Sequence, residues 1–343
     1  MTTRRKKSKT RWDSVTFDRL SRIMTREGSH KGTEDNHALA SEMQPNDAYT
    51  LVGLGDLKRK KKQFTEAAHY YQRCLEIEKD NKFALAGLGD AYRGLNQVEK
   101  ALEVWLHYLS LHPHDYKVMT RVADGFKRKG DLEAAKEYFF RALEENLDDP
   151  YALMGLGDIY QREGNDEEAL RYFEKLIHKS DDPVLALTSA GNIYRKRRQY
   201  EKAMKYYERV LALDSENSYA WHGKADCYRG MRDYSPAIDA WHMALTCGME
   251  PRIALTRIGD AYLSLNDLKQ AEINYKKALE FGYDKYAHLG MARIHAKRDD
   301  TETALHTFSM LAKEDPYDLR IAAELRNLTE KHPKLRNALK KIS

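Results

Sequence analysis

Along most of this chain apolar residues return every three or four positions and are interrupted by short polar turns, which is the pattern of consecutive amphipathic helices. In one stretch Leu153, Leu156, Gly157 and Tyr160 mark a first helical stripe, and Ala169, Phe173 and Leu176 a second. Gly164-Asn165 between them is turn chemistry, because both residues tolerate backbone conformations that a helix interior excludes. Comparable turns are predicted at Asn96-Gln97, Gly130-Asp131, Arg232-Asp233, Asn266-Asp267 and Asp299-Asp300. Pro236 falls in the first turn of a second helix, where its missing N–H costs little. The arrangement recurs with a fixed step: Gly55-Asp56, Gly89-Asp90, Ala123-Asp124, Gly157-Asp158, Gly191-Asn192, Ala225-Asp226 and Gly259-Asp260 follow one another at 34 residues. A repeat of that length predicts stacked helical pairs sharing a continuous core rather than a single globular one. The small residue of each pair lets the two helices of a unit approach, and Ala169, Ala203, Ala237 and Ala271 are its small counterparts on the second helix.

These positions resemble the tetratricopeptide repeat family, whose motif has a large apolar or aromatic residue, then Leu and a small residue three and four positions on, then an aromatic on the first helix, and Ala, an aromatic and another Ala on the second. In the second unit the roles fall on Leu85, Leu88, Gly89, Tyr92, Ala101, Trp105 and Tyr108, with Pro113 closing it. In the sixth they fall on Trp221, Lys224, Ala225, Tyr228, Ala237, Trp241 and Ala244, Lys224 being a departure that affects local packing. An eighth unit starts one residue early and places His288, Met291, Ala292, His295, Ala304, Phe308 and Leu311 at the motif sites, with Arg293 where the acid should stand. The resemblance spans roughly residues 48–316 and implies an all-α fold, a right-handed superhelix of paired helices whose first helices line the concave surface. Four regions are expected: a disordered basic tail at 1–11, an arm and linker at 12–47, the array at 48–316, and a capping helix with a basic end at 317–343.

Charge changes the picture only once it is located. The net +5 is concentrated at the start, where residues 1–31 hold ten Lys or Arg against three acids, while residues 32–343 sum to −2. The alternative to a protein partner, a nucleic acid or ribonucleoprotein, is therefore expected only through the tail residues Arg4, Arg5, Lys6, Lys7, Lys9 and Arg11. Within Trp12–Glu27 the spacing of Phe17, Leu20 and Met24 predicts an amphipathic helix that packs on the first repeat or on a second copy of the chain, so self-association is a further expectation. A short helix is predicted over His37–Met43, closed by Pro45. Ile321, Leu325 and Leu328 predict the capping helix, followed by the basic stretch Lys331–Lys341. No run reaches the length of a membrane span, nothing reads as a secretory signal, and Cys74, Cys227 and Cys247 form no disulfide framework, so a cytoplasmic location is expected.

The resemblance also implies which side chains face the groove. With the small core residue counted as position eight, position nine is the series Asp56, Asp90, Asp124, Asp158, Asn192, Asp226 and Asp260. Position twelve holds Arg59, Arg93, Arg195 and Arg229 among others, so acids and bases alternate on one helical face. Two readings stay open: the acids pair with neighbouring bases or repeats, or they bind Lys, Arg or backbone N–H donors of an extended peptide. Position two is large and often aromatic, with Tyr49, Phe83, Tyr151 and Tyr219 as candidate peptide anchors. Position six is repeatedly glycine, at Gly53, Gly87, Gly155, Gly223 and Gly290, which calls for close approach by either a ligand backbone or a neighbouring helix. A clamp for a terminal carboxylate is not expected: Val52, Asp56 and Gly87 occupy sites that such a clamp fills with Lys and Asn, and only Lys117 and Arg121 match.

No phosphate-binding loop or metal-binding motif occurs, and neither cofactor nor metal is expected. Cys74 and Cys227 take core positions, and His107, His112 and His114 cluster at a helix end without a reinforcing cysteine. With almost all of the chain committed to repeats, the expected role is a non-enzymatic scaffold or adaptor that holds a peptide or a partner protein.

Overall fold

The computed structural model describes residues 47–331. The tail at 1–11, the helices expected at Trp12–Glu27 and His37–Met43, and most of the basic stretch Lys331–Lys341 lie outside the described residues. The described chain is all helix and turn, with no strand among the described residues, and it divides into two compact units.

The first unit, up to Ile159, contains α1 (Ala48–Lys60), α2 (Phe64–Ile77), α3 (Lys82–Gly94), α4 (Val98–Leu111), α5 (Tyr116–Lys129), α6 (Leu132–Glu145) and most of α7 (Pro150–Arg162). The second, from Tyr160, contains α8 (Asp166–Lys179), α9 (Val184–Lys196), α10 (Tyr200–Leu213), α11 (Ser218–Gly230), α12 (Tyr234–Thr246), α13 (Pro251–Ser264), α14 (Leu268–Glu280), α15 (Lys285–Lys297), α16 (Thr301–Glu314) and α17 (Leu319–Lys331). Within each unit successive helices pack together as tandem pairs, and first helices of adjoining pairs also touch, as α1 on α3 and α9 on α11. We call the odd-numbered helices first helices and the even-numbered ones second helices.

Local chemistry starts and stops these helices. Asp47 accepts from the Thr50 amide at 2.9 Å, Asn81 from the Ala84 amide at 3.0 Å, and Asp149 from the Ala152 amide at 2.8 Å. Each such cap satisfies an N–H that the helix leaves open, and is worth roughly 1 kcal/mol against Ala. The turns from first to second helix reverse through one left-handed residue, at φ 59° for Asn96, 87° for Gly130 and 63° for Asn266. Lys62 and Arg198 take the same conformation at φ 59°, although neither residue type announces it.

The core consists of one large aromatic per second helix, seated among small residues. In the first unit Tyr71, Trp105 and Phe139 are almost wholly buried, as are Tyr207, Trp241, Tyr275 and Phe308 in the second. Tyr71 lies against Gly55 of its own pair, where an added Cβ would fall 2.6 Å from the ring, and against Gly87 of the next, where the overlap would be tighter still. Tyr207 is held in the same way between Gly191 and Gly223, and Tyr275 between Gly259 and Gly290. The position-six glycines Gly87, Gly155, Gly223 and Gly290 are thus occupied by an aromatic from the preceding pair. Of the two readings of that series, the neighbouring helix supplies the close approach. Gly53, on the first described helix, has nothing within 4 Å among the described residues.

Candidate interaction surface

The position-nine acids take their partners according to the aromatic on the second helix. Where that aromatic is a tyrosine, its hydroxyl donates to the residue of the same pair: Tyr71 to Asp56 at 2.7 Å in the first unit, and Tyr207 to Asn192 at 2.9 Å and Tyr275 to Asp260 at 2.8 Å in the second. Burial, followed by the partner carboxylate, pushes the Tyr71 and Tyr275 hydroxyls well above the usual phenol range, and burial carries Tyr207 up to about 12, so all three remain neutral donors. Burial also raises Asp260, against the opposing hydrogen bond from Tyr275.

Where the second helix carries tryptophan there is no hydroxyl, and the acid sinks to 7% exposure at both Asp90 and Asp226. Asp90 gathers Arg93 at 3.3 Å, Arg121 at 3.4 Å and Arg59 at 3.5 Å. Asp226 gathers Arg195 at 2.6 Å and Arg229 at 2.9 Å, with His222 Nε2 at 3.7 Å. Where the second helix carries phenylalanine, lysine and arginine take over, with Arg128 on Asp124 at 2.9 Å and Lys127 on Asp158 at 3.2 Å.

The ladder expected along one helix face is therefore also a ladder between pairs. Arg59 to Asp90, Lys127 to Asp158 and Arg195 to Asp226 each join residues 31 apart, position twelve of one pair reaching position nine of the next. Arg59 forks three ways, to Tyr71, Asp56 and Asp90, and Arg195 repeats the fork to Tyr207, Asn192 and Asp226. Lys297 and Arg293 also bridge 31 residues, though from other positions, Lys297 to Asn266 in the preceding pair and Arg293 to Glu324 on α17. In the eighth unit Arg293 thus stands in the place of the acid and takes its carboxylate from α17.

The remaining surface divides into two kinds. The position-two side chains are exposed, Tyr49 at 50%, Phe83 at 62% and Tyr151 at 75% in the first unit, and Leu185 at 71%, Tyr219 at 78%, Ile253 at 43% and Tyr286 at 48% in the second. Cations are concentrated on first helices: α1, α3 and α5 carry ten Lys or Arg against three Asp, whereas α2, α4 and α6 carry four against eight acids. In the second unit α9, α11, α13 and α15 carry nine against two, and α10, α12, α14 and α16 carry seven of each. The −2 total of residues 32–343 conceals this segregation, because acids outside the first helices offset their cations in the sum.

The residues with catalytic potential are otherwise engaged. Burial pushes the thiols of Cys74 to about 11 and Cys227 to about 12, so both stay protonated. His107 pairs with Asp80 at 3.2 Å and His114 with Glu145 at 2.6 Å, and no group of three metal-ligating side chains occurs among the described residues. His295 pairs with Asp300 at 2.9 Å, and His288 packs on the Tyr283 ring. No described helix is long and apolar enough to cross a membrane.

Models of the tetratricopeptide repeat match residues 48–81, 123–183, 184–217 and 254–281. Among solved structures, a tetratricopeptide repeat protein from Parabacteroides merdae is similar, with 20% identity and a TM-score of 0.54 over 71% of this chain and 98% of its own. The pilF protein of Pseudomonas aeruginosa is similar at 17% identity and TM-score 0.53, over 63% of this chain and 97% of its own. A chain of the APC/C hetero-tetramer Cut9–Hcn1 is similar at 14% identity and TM-score 0.55, over 91% of this chain and 59% of its own. At these identities the likeness is one of fold. No curated protein matches the sequence.

Proposed function

We propose that this chain, a tetratricopeptide-repeat protein, is a non-enzymatic scaffold whose first-helix surface holds a peptide or a partner protein. The reading takes the array as eight repeats over residues 48–316, capped by the segment from 317, and working in the cytoplasm. The observation that carries it is the position-two column. Scattered exposed apolar residues are ordinary on any surface. Here one large apolar side chain stands out from the same place on each of these first helices, α5 with Lys117 being the exception, while the residue that follows it, such as Ala84, Ala152 or Ala220, is buried. Packing within the repeats needs the alanine and leaves the aromatic in water. Repeated tyrosine and phenylalanine on a rigid surface are good anchors, since they supply contact area at small entropic cost. Solenoids of this class offer such extended surfaces for recognition.

The test is crosslinking with mass spectrometry in cell extract, comparing the native chain with Phe83→Ser/Tyr151→Ser and Leu185→Ser/Tyr219→Ser. These side chains are exposed, so helicity by circular dichroism should be unchanged. The reading expects crosslinks to partner proteins on first helices in the native chain and their loss in at least one pair of variants. Equal recovery from all three proteins would refute it.

A further inference from the structure

At the C-terminal ends of α1 and α3 a cleft of about 420 Å³ opens in the first unit, lined by Arg59, Lys60, Lys62, Arg93, Arg128 and Asp90, with Phe64 as an apolar wall. Phe64 is held in place by Gly94, at which any Cβ would overlap its ring. Five cations thus face one carboxylate, and that carboxylate is already shared by Arg59, Arg93 and Arg121. Arg128 is paired with Asp124. Lys60 and Lys62 are exposed and have no ion-pair partner among the described residues.

Two plain explanations account for part of this charge. Lys58, Arg59 and Lys60 close α1, and Lys127, Arg128 and Lys129 close α5, where cations offset the half charge at a helix C-terminus. Lys58 is also neutralised by Glu66 at 2.5 Å. Neither explanation reaches Lys62, which lies beyond the helix in a turn, at φ 59°, a conformation that glycine or asparagine adopts at lower cost. At the corresponding turns of the same unit stand Asn96 and Gly130.

We propose that this cleft seats the Asp and Glu side chains of an acidic segment of a partner protein, with Lys60 and Lys62 as the cations that remain to bind it. The inference rests on the scaffold reading and adds the charge of the partner. It reverses the expectation drawn from the acids alone, in which a basic peptide would bind Asp56 or Asp90. Those acids are held by Tyr71 and by arginines, so a basic peptide would meet guanidinium groups that already have their carboxylate. Arg121, one of the two residues that match a terminal-carboxylate clamp, is itself on Asp90, which leaves acidic side chains rather than a chain terminus as the fitting ligand. The second helices of this unit carry a surplus of acid, so charge directs such a segment to the first-helix side.

The full-length protein would be titrated, by fluorescence anisotropy, with a twelve-residue peptide of alternating Glu and Asp, with its Gln/Asn counterpart, and with a single-stranded RNA of equal charge. The expected result is binding of the acidic peptide, weakened by salt, and about tenfold weaker in Lys60→Glu/Lys62→Glu. The control Lys205→Glu/Lys269→Glu, on second helices of the other unit, should bind as the native chain does, which separates the cleft from net charge. Equal affinity for the neutral peptide, or no loss on charge reversal at Lys60 and Lys62, overturns the proposal. RNA binding that depends on the two lysines while the acidic peptide fails also overturns it, in favour of a nucleic-acid site. If charge reversal has no effect but the aromatic variants still lose their partners, the cleft is wrong and the scaffold reading stands. If neither set has an effect, both fall.

Discussion

The two units each contain one copy of the same polar network, and they differ at three places. In the first, Arg59 bridges Tyr71, Asp56 and Asp90 beside Trp105; in the second, Arg195 bridges Tyr207, Asn192 and Asp226 beside Trp241. Asp56 is replaced by Asn192, which can still accept from the tyrosine but brings no charge. Trp105 donates to the Ala86 carbonyl at 3.4 Å, whereas Trp241 donates to His222 Nδ1 at 3.2 Å. Arg121 turns to Asp90, while its counterpart Arg257 turns to Asp260 at 3.8 Å. What is common to both is the tyrosine followed in the next pair by a tryptophan. A hydroxyl on the second helix supplies its neighbour with a donor, and its absence leaves the next acid to be neutralised by arginines. The acid that recurs along the chain therefore has different partners in successive pairs.

Removing the buried acid should be the largest way to break the likeness. Asp90→Ala leaves Arg59, Arg93 and Arg121 close together with no carboxylate, and is expected to cost about 2–4 kcal/mol, at the lower part of the range for a broken buried pair because the guanidiniums are partly solvated. Asp226→Ala leaves Arg195 and Arg229 and should cost less. Urea unfolding monitored by circular dichroism measures both, and losses below about 1 kcal/mol in each would mean that neither network contributes to stability.

Glycine size is the next point of comparison. Gly87→Ala and Gly223→Ala force a methyl group into Tyr71 and Tyr207, at an expected 1–3 kcal/mol each by typical overpacking cost, about equally in the two units. Gly53→Ala, at the same repeat position but facing open space among the described residues, should cost nothing and gain up to about 1 kcal/mol from helix propensity. A loss at Gly53 similar to that at Gly87 would show that something outside the described residues fills that site.

Acidity should separate the units. Burial lowers the His222 pKa, with Arg195, Arg257 and Arg229 adding to that and Asp226 opposing it. A histidine harder to protonate in the native state than in the unfolded one contributes nothing above its unfolded value of about 6.5, and lowers stability as pH falls below it. Protonation would also place a hydrogen on the nitrogen that accepts from Trp241. The difference in unfolding free energy between native and His222→Ala should therefore shift against the native chain from pH 7 to pH 5. Amide exchange should place the effect in α11 and α12, and a constant difference across that range would remove His222 as the source.

The smallest effect is expected from converting one network into the other. Asp56→Asn gives the first unit the residue that the second has as Asn192, keeps the acceptor for Tyr71, and should stay within about 0.5 kcal/mol in the same unfolding measurement. A larger loss would show that the charge of Asp56, rather than its oxygen, holds Arg59.

Much of the fold was legible because it depends on neighbours in sequence. Helical stripes, turns at Asn96, Gly130 and Gly164, and the pairing of small residues with aromatics all follow from spacing and size. The left-handed turns at Lys62 and Arg198 escaped, since basic side chains carry no turn signal and adopt that conformation only because the flanking helices require it. The first-helix caps at Asp47, Asn81, Asp115 and Asp149 keep the 34-residue step as well, and were hidden only by the louder acid series beside them.

The candidate surface was legible in its membership and not in its bonding. Periodicity names Asp90 and Arg59 as members of one face, and their spacing within a helix suggests partners three residues away. Whether Arg59 turns to Asp56 or crosses to Asp90, 31 residues on, depends on how closely α1 and α3 pack, and it does both. The chain alone settles an all-α array of helical pairs, because residue size and hydrophobic period act through local contacts that every pair repeats. Which acids are spent inside the array, and which lysines are left over for a partner, is settled only when helices meet in space, because a charge is satisfied by its nearest donor and not by its place in a motif.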